Sequence, residues 1–287
     1  MSICVSLGRT TFKGCMFFLA GVMGCATASC DVGTPFKSEQ KLELNVTQDV
    51  TLFNLKNVVG DVEIKTDAAA TGVTASVVKI GKGSTQGEAD AAIGEISVTL
   101  APGAVAGTIE AITTQPKSAK NRGYNVNWVV TLPPTAKLVI TNRVGDVTVL
   151  GGNNGVEITN DVGDIAARNA SGGLTLTTRV GDVTAHGSGA IVAKADVGEV
   201  SVRLSGPGES IQANARVGDV TVYVPRDWQG RATTSNNVGD LEFDNDALAI
   251  SGLTKSRGRA EATLNGGGTG VLEAGTQVGD VTVRHGG

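Results

Sequence analysis

Aromatic side chains are scarce in this chain of 287 residues: six Phe, two Trp and two Tyr. A core filled by rings is thereby excluded, and so is a polymer-binding groove paved with aromatics, since Trp128 and Trp228 fall outside the regular strand columns described below. Histidine is scarcer still. His186 reads as lying in a glycine-rich surface loop and His285 as lying near the last residue, and neither has a partner legible in the sequence. No Ser-His-Asp order, phosphate-cradling loop or metal-ligand spacing accompanies them. Cysteine stops at residue 30, the full set being Cys4, Cys15, Cys25 and Cys30, which excludes a disulfide framework or a zinc site in the body of the chain.

Long hydrophobic runs are also missing. The apolar run Gly14–Gly24 has eleven residues, whereas a bilayer span takes about 20. It follows the basic residues Arg9 and Lys13 and precedes Val22-Met23-Gly24-Cys25, which resembles the bacterial lipobox. The expectation is a signal peptide over 1–24, a lipid anchor on Cys25, a linker over 25–40, and attachment to a membrane, at the outer membrane or cell surface. Two alternatives stand beside it: cleavage after Ala26-Thr27-Ala28, which releases a soluble periplasmic or secreted protein, and lipidation at Cys30.

Positive charge is in deficit, with 24 Lys and Arg against 28 Asp and Glu, a net charge of −4. Loss of residues 1–24 removes Arg9 and Lys13, leaving 22 against 28 and a net charge of −6. Nucleic acid is therefore not an expected partner. The short basic clusters Lys117, Lys120, Arg122 and Lys255, Arg257, Arg259 read as solvated loops.

Glycine is what the chain has in excess: 40 residues, about 14% against a usual share of roughly 7%. Its placement is periodic. A Val-Gly-Asp tripeptide or near copy gives the corner pairs Gly60-Asp61, Gly145-Asp146, Gly163-Asp164, Gly181-Asp182, Gly198-Glu199, Gly218-Asp219, Gly239-Asp240 and Gly279-Asp280. From Gly145 the intervals are 18, 18, 17, 20, 21 and 40, and Gly258 marks a degenerate copy that splits the last into two periods. With the valine as position zero, the columns at −6, −4, +3 and +5 are almost purely apolar: around Gly163 they are Val156, Ile158, Ile165 and Ala167. Spacing by two is one face of a β-strand, and the odd step across the glycine requires a bend that positive φ supplies.

Two short strands around a corner cannot bury their own apolar face, but stacked copies can. The expected fold is all-β: a single-stranded β-solenoid, or β-helix, of seven or eight coils of about 18–20 residues, rising about 4.8 Å per coil. Residues 138–287 carry the repeats. Residues 41–137 form an irregular N-terminal cap that holds the first copy and one short helix near 86–95, where Ala89, Ala92, Ile93 and Ile96 keep helical spacing.

The segments FNLKNVVGDVEI, YNVNWVVTLPPTAKLVITNRVGDVTV and GGGTGVLEAGTQVGDVTV, in this order over about residues 40–284, resemble the bacterial putative-adhesin domain family. The family more often carries Ser-Gly-Asp where this chain has Val-Gly-Asp. The resemblance implies a β-helical fold and a noncatalytic surface role on an exported protein or lipoprotein, and transfers no site residues.

The repeat also sets up polar ladders. The −1 column, Arg143, Asp161, Arg179, Asp196 and Arg216, alternates in sign, and the −2 column, Asn57, Asn142, Asn160, Thr178, Asn236 and Thr276, points inward with Ala195 and Ala215 as interruptions. Each corner Asp is expected to accept N–H bonds at its own corner, because one carboxylate per coil supplies too few ligands for calcium. No catalytic, cofactor-binding or metal residue is expected. The expected role is a noncatalytic envelope lipoprotein with an adhesin-like surface-binding or scaffold module. Its expected partners are envelope proteins or surface polysaccharide, with self-association through an open C-terminal edge at 278–284. A carbohydrate-binding module and a β-helix polysaccharide-degrading enzyme are the alternatives. The anchor is tested by labelling cells with a fatty-acid analogue: the wild type takes up label and Cys25→Ala does not, whereas label retained in that variant rules out Cys25 as the acceptor.

Overall fold

The computed structural model describes residues 36–116, 122–206, 209–244 and 248–286. Cys25, the signal-peptide segment, Lys117 and Lys120 lie outside the described residues. The described residues are all-β apart from one helix, with an eleven-stranded and a twelve-stranded mixed sheet and, among these residues, no barrel.

Every repeat contributes its first strand to the larger sheet and its second to the smaller. In the copy around Gly163, Val156–Val162 pairs in parallel with Lys137–Val144 and Leu174–Val180. After the corner, Ile165–Ala170 pairs in parallel with Val147–Leu150 and Val183–Gly187. The registers align the apolar columns residue for residue: Leu138, Val156, Leu174 and Ile191 face one another in succession, as do Val147, Ile165, Val183 and Val200. All are buried and belong to one core built from both sheets. β-Branched and small side chains suit this core, because each repeat adds only a strand spacing of about 4.8 Å and rings are too large to recur at that interval.

The stack holds nine parallel strands in each sheet, more than the sequence count. The additional pair is Thr108–Thr114 and Arg122–Leu132, which stack in parallel on Leu52–Lys56 and Val62–Thr66. Ile109 meets Phe53, Ala111 meets Leu55 and Trp128 meets Val62. Trp128 is thus within the inward column, buried, with its indole N–H donating to Thr113 Oγ1 at 2.9 Å. The copy was hidden because Asn125-Val126-Asn127 stands where the others have Val-Gly-Asp.

Antiparallel strands finish this end. Val73–Gly83 pairs with Arg122–Leu132, and Phe36–Val46 pairs with Val73–Gly83 as the outermost strand. Lys37, Glu39, Lys41 and Glu43 line that edge, charges that oppose pairing with another chain. The helix Gln86–Gly94 agrees with the sequence expectation: Thr85 and Glu88 form a reciprocal capping box, and Ala89 and Ala92 are buried. A Cβ on Gly81 would stand 2.3 Å from Ala89 O, so that glycine permits the helix to lie against the strand.

The other end departs from the expected order. The copy at Gly239 is outermost, with Gly230–Ser235 and Leu241–Phe243 as its strands. The last copy, Gly270–Gly275 and Val281–His285, inserts between it and the copy at Gly218. Gly258 is no corner of the stack. It sits at the turn of an antiparallel hairpin, Ile250–Ser256 and Arg259–Leu264, that pairs onto Gly230–Ser235. Lys255 and Arg259 are therefore strand residues, not loop residues. Residues 278–284 likewise offer no free edge, since Val281–His285 has strands on both sides, and the edge of that sheet is the three-residue strand Leu241–Phe243.

Leu176 is buried while its neighbour Thr175 is exposed. Leu176→Asp strands a carboxylate in the core and is expected to cost more than about 4 kcal/mol, whereas Thr175→Asp stays within about 0.5 kcal/mol. Denaturant titration of both variants checks this, and equal midpoints would refute the register.

Candidate functional site

The corner of each repeat is formed by backbone before side chains enter. All eight corner glycines have φ between +123° and +142°. A Cβ at Gly163 would also lie 2.2 Å from the carbonyl oxygen of Gly145 in the repeat below, and the same collision recurs along the stack. Glycine is thus required twice, by conformation and by contact.

Two ladders close over this backbone. Inside, the Asn160 amide donates to its own Gly163 O at 3.0 Å and to Gly145 O of the neighbouring repeat at 2.9 Å. Asn142 and Asn57 repeat the pattern, and the Thr178 and Thr276 hydroxyls donate to Gly163 O and Gly218 O. Outside, the Asp164 backbone N–H donates to Asp146 Oδ1 at 2.9 Å, and Asp182 N–H to Asp164 Oδ1 at 2.8 Å. The series continues from Asp61 through Asp146 and from Asp219 through Asp280 to Asp240.

The carboxylates of Asp61, Asp146, Asp164, Asp182, Asp219 and Asp280 therefore serve the next repeat and not their own corner, a correction to the sequence expectation. The cause is directional: in a parallel stack the N–H groups point along the stack axis, toward the neighbour's side chain. Carboxylates about 4.8 Å apart repel by about 0.9 kcal/mol in water, and a hydrogen bond to a charged acceptor returns about 1.5 kcal/mol or more. At the hidden repeat Asn127 Oδ1 accepts from Asp61 N–H at 3.0 Å, so a neutral amide does the same work.

The corner ladder brings together all the sequence-predicted corner residues, in the spatial order 60, 145, 163, 181, 198, 218, 279, 239. Beside it the position-zero valines from Val144 to Val278 form an exposed ridge, 38–48% accessible, rising to 62% at Val238. The alternating column pairs Asp161 with Arg143 at 3.9 Å and Arg179 at 3.8 Å, and Asp196 with Arg216 at 3.9 Å. At this distance and exposure each contributes about 0–1 kcal/mol, enough to favour register and little more.

A second ladder lies six residues past the valine, on the outer face of the smaller sheet. Strand pairing stacks Arg168, His186, Arg203, Tyr223 and Arg284 in successive repeats. Two residues nearer the corner Thr184, Ser201, Thr221 and Thr282 form a parallel hydroxyl column. A depression of about 250 Å³ opens among Arg168, Thr184, His186, Ser201, Arg203 and Tyr223. The Arg203 guanidinium sits 4.7 Å from the Tyr223 ring centre and that of Arg284 5.8 Å, so the ring holds both. Burial, reinforced by Arg203 and Arg168, keeps the His186 pKa below its usual 6.5.

His186 is thus a strand residue between two arginines and not a loop residue. His285 also has neighbours, its Nδ1 3.3 Å from Val224 O and its Nε2 3.4 Å from Arg226 Nε. Trp228 is buried, its indole N–H donating to Glu209 O at 3.2 Å. The sequence held the signal for this ladder in its +6 column, which is neither apolar nor of uniform charge and so did not stand out.

Asp164→Asn keeps an acceptor for the Asp182 N–H and is expected to change stability by less than about 0.5 kcal/mol, while Asp164→Ala removes it and costs about 1 kcal/mol. Thermal melts of the two variants check the order, and an equal loss in both would mean that charge, not the hydrogen bond, matters.

No family model and no curated protein matches the chain. Among solved structures it is similar to a putative adhesin from Bacteroides fragilis (13% identity, 86% of this chain and 98% of that one, TM-score 0.39). It is also similar to a putative cell adhesion protein from Clostridium sporogenes (13% identity, 88% and 100%, TM-score 0.33). A putative adhesin from Parabacteroides distasonis matches at 8% identity, over 87% of this chain and 97% of that one, with TM-score 0.33. All three bacterial neighbours carry the adhesin description to which the sequence resemblance points.

Proposed function

We propose that this protein is a noncatalytic, exported surface-binding module: a β-solenoid of nine coils, tethered to the membrane through a lipid on Cys25, that contacts envelope proteins or surface polymers with its outer coil faces. The observation that carries this proposal is the strict residue-for-residue stacking of the repeats. It turns every outward position into a straight row of like-placed side chains at one strand spacing, a surface suited to extended partners. A stack of this kind is stiff, because neighbouring repeats hydrogen-bond through backbone throughout and through Asn, Thr or Asp side chains at most corners, so a partner is met by a preorganised face. The adhesin description of the structural neighbours agrees with the same role. A carbohydrate-binding module is the second reading, favoured by the ladder of hydroxyl and cationic groups. Fluorescently labelled mature protein is expected to bind intact bacterial envelopes saturably while releasing no reducing ends from envelope polysaccharides. Release of sugar by the pure protein would make it an enzyme and overturn the proposal.

A further inference from the structure

The ladder Arg168, His186, Arg203, Tyr223, Arg284 has a period that constrains what fits it. Neighbouring repeats are about 4.8 Å apart, so the three arginines recur every second repeat, about 9.6 Å, over about 19 Å in all. The run is bounded: Leu150 precedes Arg168, and Glu242 of the outermost repeat follows Thr282 in the hydroxyl column. On a chain with a net charge of −4 this strip concentrates cations on one flat face.

Building on the surface-binding role above, we infer that this strip binds an extended, 1,4-linked polysaccharide carrying carboxylates, lying along the stack axis. A pyranose in such a chain advances by about one strand spacing, so successive sugars meet successive repeats. In a ribbon whose sugars alternate in facing, the carboxylates on one side recur every second sugar, in step with the arginines. Guanidinium and carboxylate match as planar, bidentate partners, and Tyr223 holds two of the guanidiniums in place for that geometry. The half-buried Thr184, Ser201 and Thr221 hydroxyls supply donors and acceptors for the sugar hydroxyls between. Because only the carboxylates on one side of the ribbon meet the face, three arginines match the stretch of polymer that the strip spans. A nucleic acid is disfavoured by the acidic balance of the chain, 24 Lys and Arg against 28 Asp and Glu.

The test uses the full mature chain and oligomers of polymannuronate, followed by calorimetry at low salt. Wild type is expected to bind the acidic oligomer and not the neutral 1,4-linked cellohexaose. The double variant Arg168→Gln/Arg203→Gln is expected to lose at least tenfold in affinity, with a thermal midpoint close to wild type as proof of folding. Lys194→Gln, an exposed site on the opposite sheet, is expected to leave affinity unchanged. Absence of binding by wild type, undiminished affinity in the folded double variant, equal binding of cellohexaose, or tighter binding of single-stranded DNA would each overturn the inference. Envelope binding that survives the double variant would remove this ladder as the site and leave the surface-binding role intact.

Discussion

The close approach of backbone at the corners governs the rest of the molecule. At Gly163 the chain turns with φ of +126°, and its Cα lies so near the Gly145 carbonyl that a Cβ would come within 2.2 Å. That contact brings Asn160 within reach of two carbonyls at once and places the Asp146 carboxylate in front of the Asp164 N–H. A larger residue at the corner would separate the repeats locally and lengthen both sets of bonds. The polar ladders therefore depend on the glycine, while the strand pairing extends the same spacing across both sheets.

Burial sets a second constraint. With two inward positions on each strand and about 4.8 Å per repeat, the interior is a narrow column that must be filled by side chains repeating at that interval. Val, Ile, Leu and Ala meet this almost throughout, and the buried aromatic residues are few: Phe53 in the first copy, Trp128 in the hidden repeat stacked on it, Phe243 in the outermost one and Trp228 beside the loop that leads into it. The Asn57, Asn142 and Asn160 side-chain oxygens are buried without a partner, a cost of having each amide donate to two carbonyls. The edges of the smaller sheet are the charged antiparallel strand Phe36–Val46 and the three-residue parallel strand Leu241–Phe243.

The outer faces follow from the same register. Because residue-for-residue pairing carries every column up the stack, even columns without structural duty become ordered rows. The cationic ladder is one such row. Two of its three arginines, Arg203 and Arg284, are held against the Tyr223 ring, which orders that part of the row.

What the sequence determined by itself was the local unit. Period-two apolar columns, the odd phase step and a glycine at the bend were enough to identify strand, corner and inward side chains, and the spacing of Ala89, Ala92, Ile93 and Ile96 marked the helix. The order of the stack was decided only in three dimensions. Repeats with nearly equivalent columns can neighbour one another in more than one sequence, so nothing local distinguishes a last copy at the end from one inserted between Gly218 and Gly239. The pairing of Ser210–Val217 with Gly270–Gly275 settles it. The hidden repeat escaped for the opposite reason: Val126 replaces the corner glycine, and only its pairing with the first copy reveals its place. The cationic row was likewise invisible, because Arg168, Arg203 and Arg284 are scattered along the chain, and their alignment is a property of the stacked strands.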